Sequence, residues 1–467
     1  MPQPSSARAH PRLHVIDARH AWAAAGSLQV GMVRVLQAAL LVLVTGNLGR
    51  IPVFSTGVRD APLLINDMAV AALLALGGIA MLQRRAVEAD RVVAAALAFV
   101  ALAGFSVVLA VPRHGLTGVE LAISLAYLAR WVFYFCIYLV VINTVGRADI
   151  PRILKAFDVA VLVFAAFGIV QSAFLPNFAQ MVYPDARLYL DWDPQGHRLV
   201  STFLDPNFAG AFILLGLMLQ LSRITCGVPV ARWKPILLFA ALILTASRSS
   251  LLAFFFAGVV LVMIAGISRR VLRFGALVAV LGLLALPQII QFAQTFNKLQ
   301  VDASALARVV MWGRALTIFS DHWILGIGYN TWGFVQARYG WEAAGVGSYG
   351  VEGGLFFVAV TTGVVGFAIY LTMLFRVGRN ARMLWRSPAA TGEERALGMT
   401  VATMLVGIVI HSLFTNSLLL PFLMESMWVF WGLAFVAARA IAVESAAMSS
   451  PPAALIRARV TQLSGGV

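Results

Sequence analysis

Charge is what this chain has least of. Only 12% of its 467 residues are Asp, Glu, Lys or Arg, while 61% are hydrophobic. A soluble globule of this length could not cover its surface with so few polar groups. Acidic residues are scarcer than basic ones, 20 against 35, which leaves a formal charge of +15. Cysteine is nearly absent. Cys136 falls within an apolar run and Cys226 in a loop, so the expected topology allows no structural disulfide, and neither has metal-ligand spacing. Residues 1–26 lack a short apolar core followed by a small-residue cleavage site, and read as a disordered tail rather than a leader. An internal repeat is missing too: the two halves differ in loop length and polar positions, which weighs against an inverted-repeat transporter.

What fills the sequence instead is a series of apolar runs of about twenty residues, each long enough to cross a bilayer as a helix. Backbone in lipid must satisfy its own hydrogen bonds, so the expected fold is all-α, a polytopic integral membrane protein of about twelve transmembrane helices. The spans fall near 28–48, 63–82, 92–111, 119–143, 154–174, 207–222, 234–247, 249–267, 272–291, 355–375, 397–417 and 421–441. Ser247-Arg248-Ser249-Ser250 is the one polar interruption between the seventh and eighth, and reads as a hairpin turn at the membrane edge.

Lysine and arginine favour the cytoplasmic side of short loops. An inside N-terminus gathers Arg84, Arg85, Arg91, Arg147, Arg152, Lys155, Arg223, Arg232, Lys234 and the Arg376–Arg395 group on that side, with inside basic residues exceeding outside ones by more than two to one. The excess positive charge is therefore a topology signal and an attraction to anionic membrane lipids, and nucleic acid is not an expected partner.

The stretch from Gln291 to Gly354 is the long exception, a loop of mixed polarity carrying Arg308, Trp312, Arg314, Asp321, His322, Arg338 and Glu352. A second outer segment runs from Pro176 to Asn207. In it Asp205-Pro-Asn has the form of a helix start with Asp205 as cap. Asp191-Trp-Asp193 is a weak Asp-x-Asp pattern that Arg187 and Arg198 can neutralise as ordinary ion pairs, and no metal is expected there. Arg130 lies mid-span, where a guanidinium costs about 2.5 to 3.5 kcal/mol unless it faces a cavity or a partner. Asp67 and Glu120 are the partners in sequence reach. His411, Ser412, Thr415 and Asn416 make a polar face suited to interhelical hydrogen bonds. Asp158 is expected to pair with a nearby base.

Arg198, Arg248, Arg308, Arg314 and Arg338 all fall on the outer side or its membrane edge. Arginine offers a fixed fork of donors suited to phosphate oxygens, although each alone is commonly a surface ion pair. Arg308 and Trp312, four apart, share a helical face on which an indole can flank a sugar or lipid.

These motifs, in this order, resemble the O-antigen ligase and Wzy-type polysaccharide polymerase superfamily. The likeness rests on Arg198-Leu-Val-Ser-Thr-Phe-Leu-Asp205-Pro-Asn207, Thr245-Ala-Ser-Arg-Ser249, Arg308-Val-Val-Met-Trp312, Gly326-Ile-Gly-Tyr-Asn330, and Glu352-Gly-Gly354 running into Thr362-Gly-Val-Val-Gly366. It covers about 198–420. Glu352 stands where ligases of the family carry a His-Asn pair, which favours the polymerase branch, and Trp323 replaces a proline usual before the Gly-x-Gly turn.

The resemblance implies a GT-C-like glycosyltransferase in a bacterial inner membrane. On it, 1–26 is a cytoplasmic tail, 27–291 holds the first nine spans, 292–354 is a large periplasmic loop with catalytic residues, 355–442 holds the last three spans and 443–467 is a second cytoplasmic tail. The implied substrates are undecaprenyl-diphosphate-linked glycans as donor and acceptor, polymerised without cofactor or metal and with inversion. A chain-length regulator protein is the implied partner. Glu352, Arg308 and Arg248 are the implied catalytic residues, with Arg198, Arg314, Arg130, Asp205, Trp312, His322 and Arg338 as substrate contacts and with His322 and Asp205 as alternative bases. A ligase that moves finished glycan to lipid A core or protein is the second reading. A flippase or transporter of lipid-linked glycans is the reading from another class.

Overall fold

The computed structural model describes residues 29–55, 60–83, 87–183, 197–266, 303–341 and 351–449. The expected tail 1–26, the expected span 272–291, and Arg187, Asp191 and Asp193 lie outside the described residues. Within them the protein is an all-α, multi-pass bundle: nine helices are long and apolar enough to cross a membrane, and two shorter apolar helices accompany them. In chain order the long elements are α1 (Gln29–Thr45), α2 (Ile65–Leu82), α3 (Arg91–His114), α4 (Gly118–Thr144), α5 (Ile150–Phe174), α6 (Pro206–Thr225), α7 (Trp233–Leu244), α8 (Arg248–Ala265), α9 (Ala303–Asp321), α10 (Gly354–Arg386), α11 (Gly392–His411) and α12 (Pro421–Ser449). Each expected span among the described residues has its helix. A small antiparallel hairpin, Ile51–Ser55 with Asp60–Leu63, joins α1 to α2.

Side chains written into the sequence start these helices. Asp90 accepts from Val92 N at 3.1 Å and Val93 N at 3.0 Å to open α3. Thr117 and Glu120 form a reciprocal capping box at α4, as do Thr391 and Glu394 at α11. Packing then relies on aromatic ladders and small residues. Trp131, Phe135 and Tyr138, one face of α4, meet the Trp428 ring of α12 at 5.7, 5.3 and 5.8 Å. Gly210 lies against Ser250, Gly216 against Val161 and Gly432 against Val141, where an added Cβ would come within 2.3, 2.6 and 2.7 Å of those side chains. Such close approach is how helices without a hydrophobic drive between them gain contact.

The two ends of the bundle differ. At one end, ion pairs tie helices together: Arg147 with Glu394 and, at 2.6 Å, with Glu444; Arg223 with Glu393; Arg439 with Glu88. Asp158 pairs with Lys234 and, at 3.9 Å, with Arg223, the structural role expected for it. The other end is built from loops bonded through backbone. Asn47 donates from its backbone to Thr202 O and from its side chain to Phe203 O, both at 2.8 Å, and Gly354 N reaches Thr415 O at 3.0 Å.

One span departs from the reading as a continuous helix. In α10 the backbone leaves helical geometry at Gly363, with φ +67° and ψ −174°. The break leaves carbonyls and amides without intrahelical partners, and the segment 323–328 supplies them: Ile327 N donates to Val360 O (3.1 Å) and Gly328 N to Thr361 O (3.0 Å), while Val364 N donates to Trp323 O (2.7 Å). The Gly-x-Gly turn thus repairs a broken helix. Past it, Tyr329 N donates to Ser106 Oγ of α3 at 3.2 Å, and Tyr329 and Trp332 are buried. Irregular backbone among spans is tolerated where protein surrounds it, and here α3, α4 and α10 do so.

Candidate active site

The loop end encloses a cavity of about 320 Å³. Its polar lining is Asn47, Arg50, Arg130, Asp205, Asn330 and Asn416, and its apolar wall includes Phe208, Phe357, Leu420 and Phe422. The six polar groups arrive from five places: Asn47 and Arg50 from the turn after α1, Arg130 from α4, Asp205 from the start of α6, Asn330 from the segment that repairs α10, and Asn416 from the α11–α12 connection.

Arg130 is held as both sequence alternatives require. It pairs with Asp67 at 2.6 Å, donates to Pro62 O, and faces the cavity. Asp67 also accepts from Tyr134 Oη at 2.8 Å and Leu64 N at 2.9 Å, so the carboxylate is well supplied with donors. Arg130→Ala is expected to cost about 3 kcal/mol or more, because it strands a buried carboxylate. Arg130→Ala combined with Asp67→Asn should recover most of the melting temperature while leaving substrate binding impaired. Thermal unfolding alongside a binding assay reads both, and equal binding by the double variant would remove Arg130 from the site.

Asp205 caps α6 as expected, accepting from Asn207 N at 2.7 Å and Phe208 N at 3.1 Å through one oxygen. Burial raises its pKa above the ordinary carboxylate value; the two backbone donors and Arg198 oppose the rise, and Glu352 adds to it. Arg198 and Glu352 are therefore close enough to Asp205 to act on its charge. Arg198 donates to Thr245 O at 2.9 Å and Ala246 O at 3.3 Å, which bridges the segment before α6 to the turn between α7 and α8. Arg248, exposed, is the first residue after that turn. Below it Ser247, Ser249 and Ser250 form a buried network: Ser250 Oγ and Ser249 Oγ lie 3.0 and 3.2 Å from His411 Nε2, and Thr415 and Ser417 hydroxyls meet His411 Nδ1. This is the interhelical bonding expected of His411.

Glu352 sits two residues before α10, half-buried, and its backbone carbonyl accepts from Trp312 Nε1 at 3.3 Å. The Trp312 ring stacks on Phe356 at 5.6 Å. The structure thereby brings Arg130, Asp205, Arg198 and Glu352 to one region, with Arg248 beside the turn that Arg198 holds. Arg308 lies in the first turns of α9, and its side chain is outside the described residues.

Three expected contacts are engaged elsewhere. Arg314 stacks over Trp341 at 5.2 Å. Arg338 donates to Gly115 O at 3.1 Å and lies 3.8 Å from Glu120. His322 packs edge-on against His114 with ring centroids 4.9 Å apart, and burial lowers its pKa below the usual histidine value. Arg338 and His322 fasten the loop to the α3–α4 turn, while the Arg314 contact with Trp341 lies within the loop itself.

Sequence reasoning missed Asn47, Arg50, Asn330 and the cavity role of Asn416. Arg50 carried a signal, as a lone arginine directly after the first apolar run. Asn330 carried one as well, directly after Gly-Ile-Gly-Tyr, where its φ of +59° suits asparagine. Glu425 of α12 was missed entirely. It is fully buried, and among the described residues neither of its carboxyl oxygens has a hydrogen-bond partner.

Residues 236–371 match the family model described as O-Antigen ligase. The match spans the Ser247–Arg248 turn, Glu352 and the Gly363 break, and covers under a third of the chain. No curated protein matches the chain.

Proposed function

We propose that this chain, a member of the O-antigen ligase and Wzy-type polymerase superfamily, is a membrane glycosyltransferase that polymerises undecaprenyl-diphosphate-linked oligosaccharides at the periplasmic face of the inner membrane. One observation carries the reading: a single cavity combines two guanidinium groups, three side-chain amides and an apolar wall. Asn416 Oδ1 is buried without a hydrogen-bond partner among the described residues, which suits the hydroxyl of a sugar.

The reaction needs little beyond placement and positive charge. An acceptor hydroxyl oxygen attacks the anomeric carbon from the face opposite the diphosphate. The bond from that carbon to the diphosphate oxygen breaks, and its electron pair leaves with the lipid diphosphate. In this reading Arg130 and Arg50, which line the cavity, hold the growing charge, and Arg198 and Arg248 support them from the neighbouring turn. Cations that grip the departing group more tightly than the bound donor lower the barrier. The hydroxyl proton passes to Glu352, whose charge acts on Asp205 and which sits two residues before α10.

The family description favours a second reading, transfer of a finished glycan by a ligase. One experiment separates the two. Purified protein in lipid, given only a lipid-diphosphate oligosaccharide and a chelator, is expected to produce a ladder of longer glycans. A single product formed only after lipid A core is added would assign the ligase, and no transfer with either acceptor would overturn the enzyme reading.

A further inference from the structure

At the basic end of the bundle the ion pairs leave out several arginines, three of which share the exposed face of the last turns of α10. Arg147, Arg223, Lys234 and Arg439 each have a carboxylate. Among the described residues, no acidic group pairs with Arg379, Arg382 or Arg386, the basic residues of the last turns of α10. The apolar run of the expected span 355–375 is long enough to cross a hydrocarbon core and ends at Phe375. The stripe therefore begins where the span should leave lipid.

Its sidedness is set by the helical repeat. Leu374, Val377, Ala381 and Leu384 are buried against the bundle. Phe375, Arg379, Arg382 and Arg386 fall within roughly 60° of one another on the exposed face at 3.6 residues per turn. Phe375 is 65% exposed and Met383 54%. Together these five residues form one open surface of α10. Apolar side chains at the hydrocarbon edge, followed by three guanidinium forks along the next turns, match a lipid read from its chains outward to its phosphate. Arginine supplies the donor geometry for that phosphate, and among the described residues no carboxylate competes for it.

We propose that the exposed face of α10 from Phe375 to Arg386 is a binding site for an anionic phospholipid, with the headgroup phosphate held by Arg379, Arg382 and Arg386 and the upper acyl chain lying on Phe375 and Met383. The site is independent of the glycan-transfer reading.

The test uses the full-length protein in nanodiscs of mixed phosphatidylcholine and phosphatidylglycerol, with retained lipids counted by native mass spectrometry. The protein is expected to retain phosphatidylglycerol over phosphatidylcholine by about ten-fold or more. Arg379→Gln with Arg382→Gln and Arg386→Gln should reduce that preference to near unity. The matching triple lysine variant keeps the charge and loses the fork, and should retain an intermediate preference. Unchanged enrichment in the glutamine variant would overturn the proposal, as would displacement of the lipid by inorganic phosphate alone. Should the glutamine variant not insert, cross-linking from a photoactivatable phosphatidylglycerol to the unaltered protein decides the matter: adducts on 375–386 support the site, and adducts confined to other segments overturn it.

Discussion

Gly363→Ala is expected to destabilise the folded protein by roughly 3 kcal/mol or more, and to do so by ejecting the loop segment that docks there. The new Cβ would stand 2.2 Å from Ile324 O and 2.5 Å from Leu325 N, and the backbone at φ +67° is one that side chains rarely adopt. Neither neighbour can yield, because both belong to the backbone that mends the helix break. Limited proteolysis should cut the variant between 320 and 330 at a rate at least about ten-fold above the parent protein, with a matching fall in melting temperature. Gly258→Ala is the control. Nothing lies within 4 Å of its added Cβ, and alanine favours a helix interior over glycine by about 1 kcal/mol, so it should be neutral or slightly stabilising. Equal behaviour of the two variants would remove the structural role assigned to Gly363.

Glu352→Gln is expected to slow glycan transfer by about 10² to 10⁴-fold, the range that removal of a positioned base produces. The contacts of Trp312 should not change with it. The bond from Trp312 reaches the Glu352 backbone carbonyl, which glutamine keeps, and the stacking of Trp312 on Phe356 is untouched. Initial rates at saturating acceptor, compared with melting temperature, separate the two effects. A glutamine variant that elongates at the parental rate would leave Asp205 as the remaining carboxylate at the site. Asp205 is a poorer base on geometry, since one of its oxygens already serves the amides of Asn207 and Phe208.

The spans were legible because lipid imposes one simple demand, an apolar run of sufficient length, and the chain meets it repeatedly. Helix starts such as Asp205-Pro-Asn and the Ser247 turn were legible for a similar reason, since capping is local. The break in α10 was not. Thr362-Gly363-Val-Val-Gly366 has no polar residue strong enough to interrupt hydropathy, and what satisfies the opened helix is backbone from some forty residues earlier. The arginines divide along the same line. Arg130 announced itself by its depth. Arg198 could equally have met phosphate or protein, and its structural partners are main-chain carbonyls of Thr245 and Ala246, which sequence spacing does not mark. Arg314 and Arg338 look the same as Arg198 in sequence, yet an indole and the α3–α4 turn engage them. The gathering of arginines on one side was therefore visible, whereas which of them share a chamber depended on tertiary contacts.

The repair of α10 by residues 323–328 also sets an order of events during biosynthesis. A ribosome makes those residues before it makes their partners at 360–365, so the segment emerges with its amides and carbonyls still waiting for the next span. Assembly of the cavity can finish only after that span has entered the bilayer. A chain arrested upstream of Val360 should therefore display a protease-sensitive loop, and one arrested after α10 has left the translocon should display a resistant one.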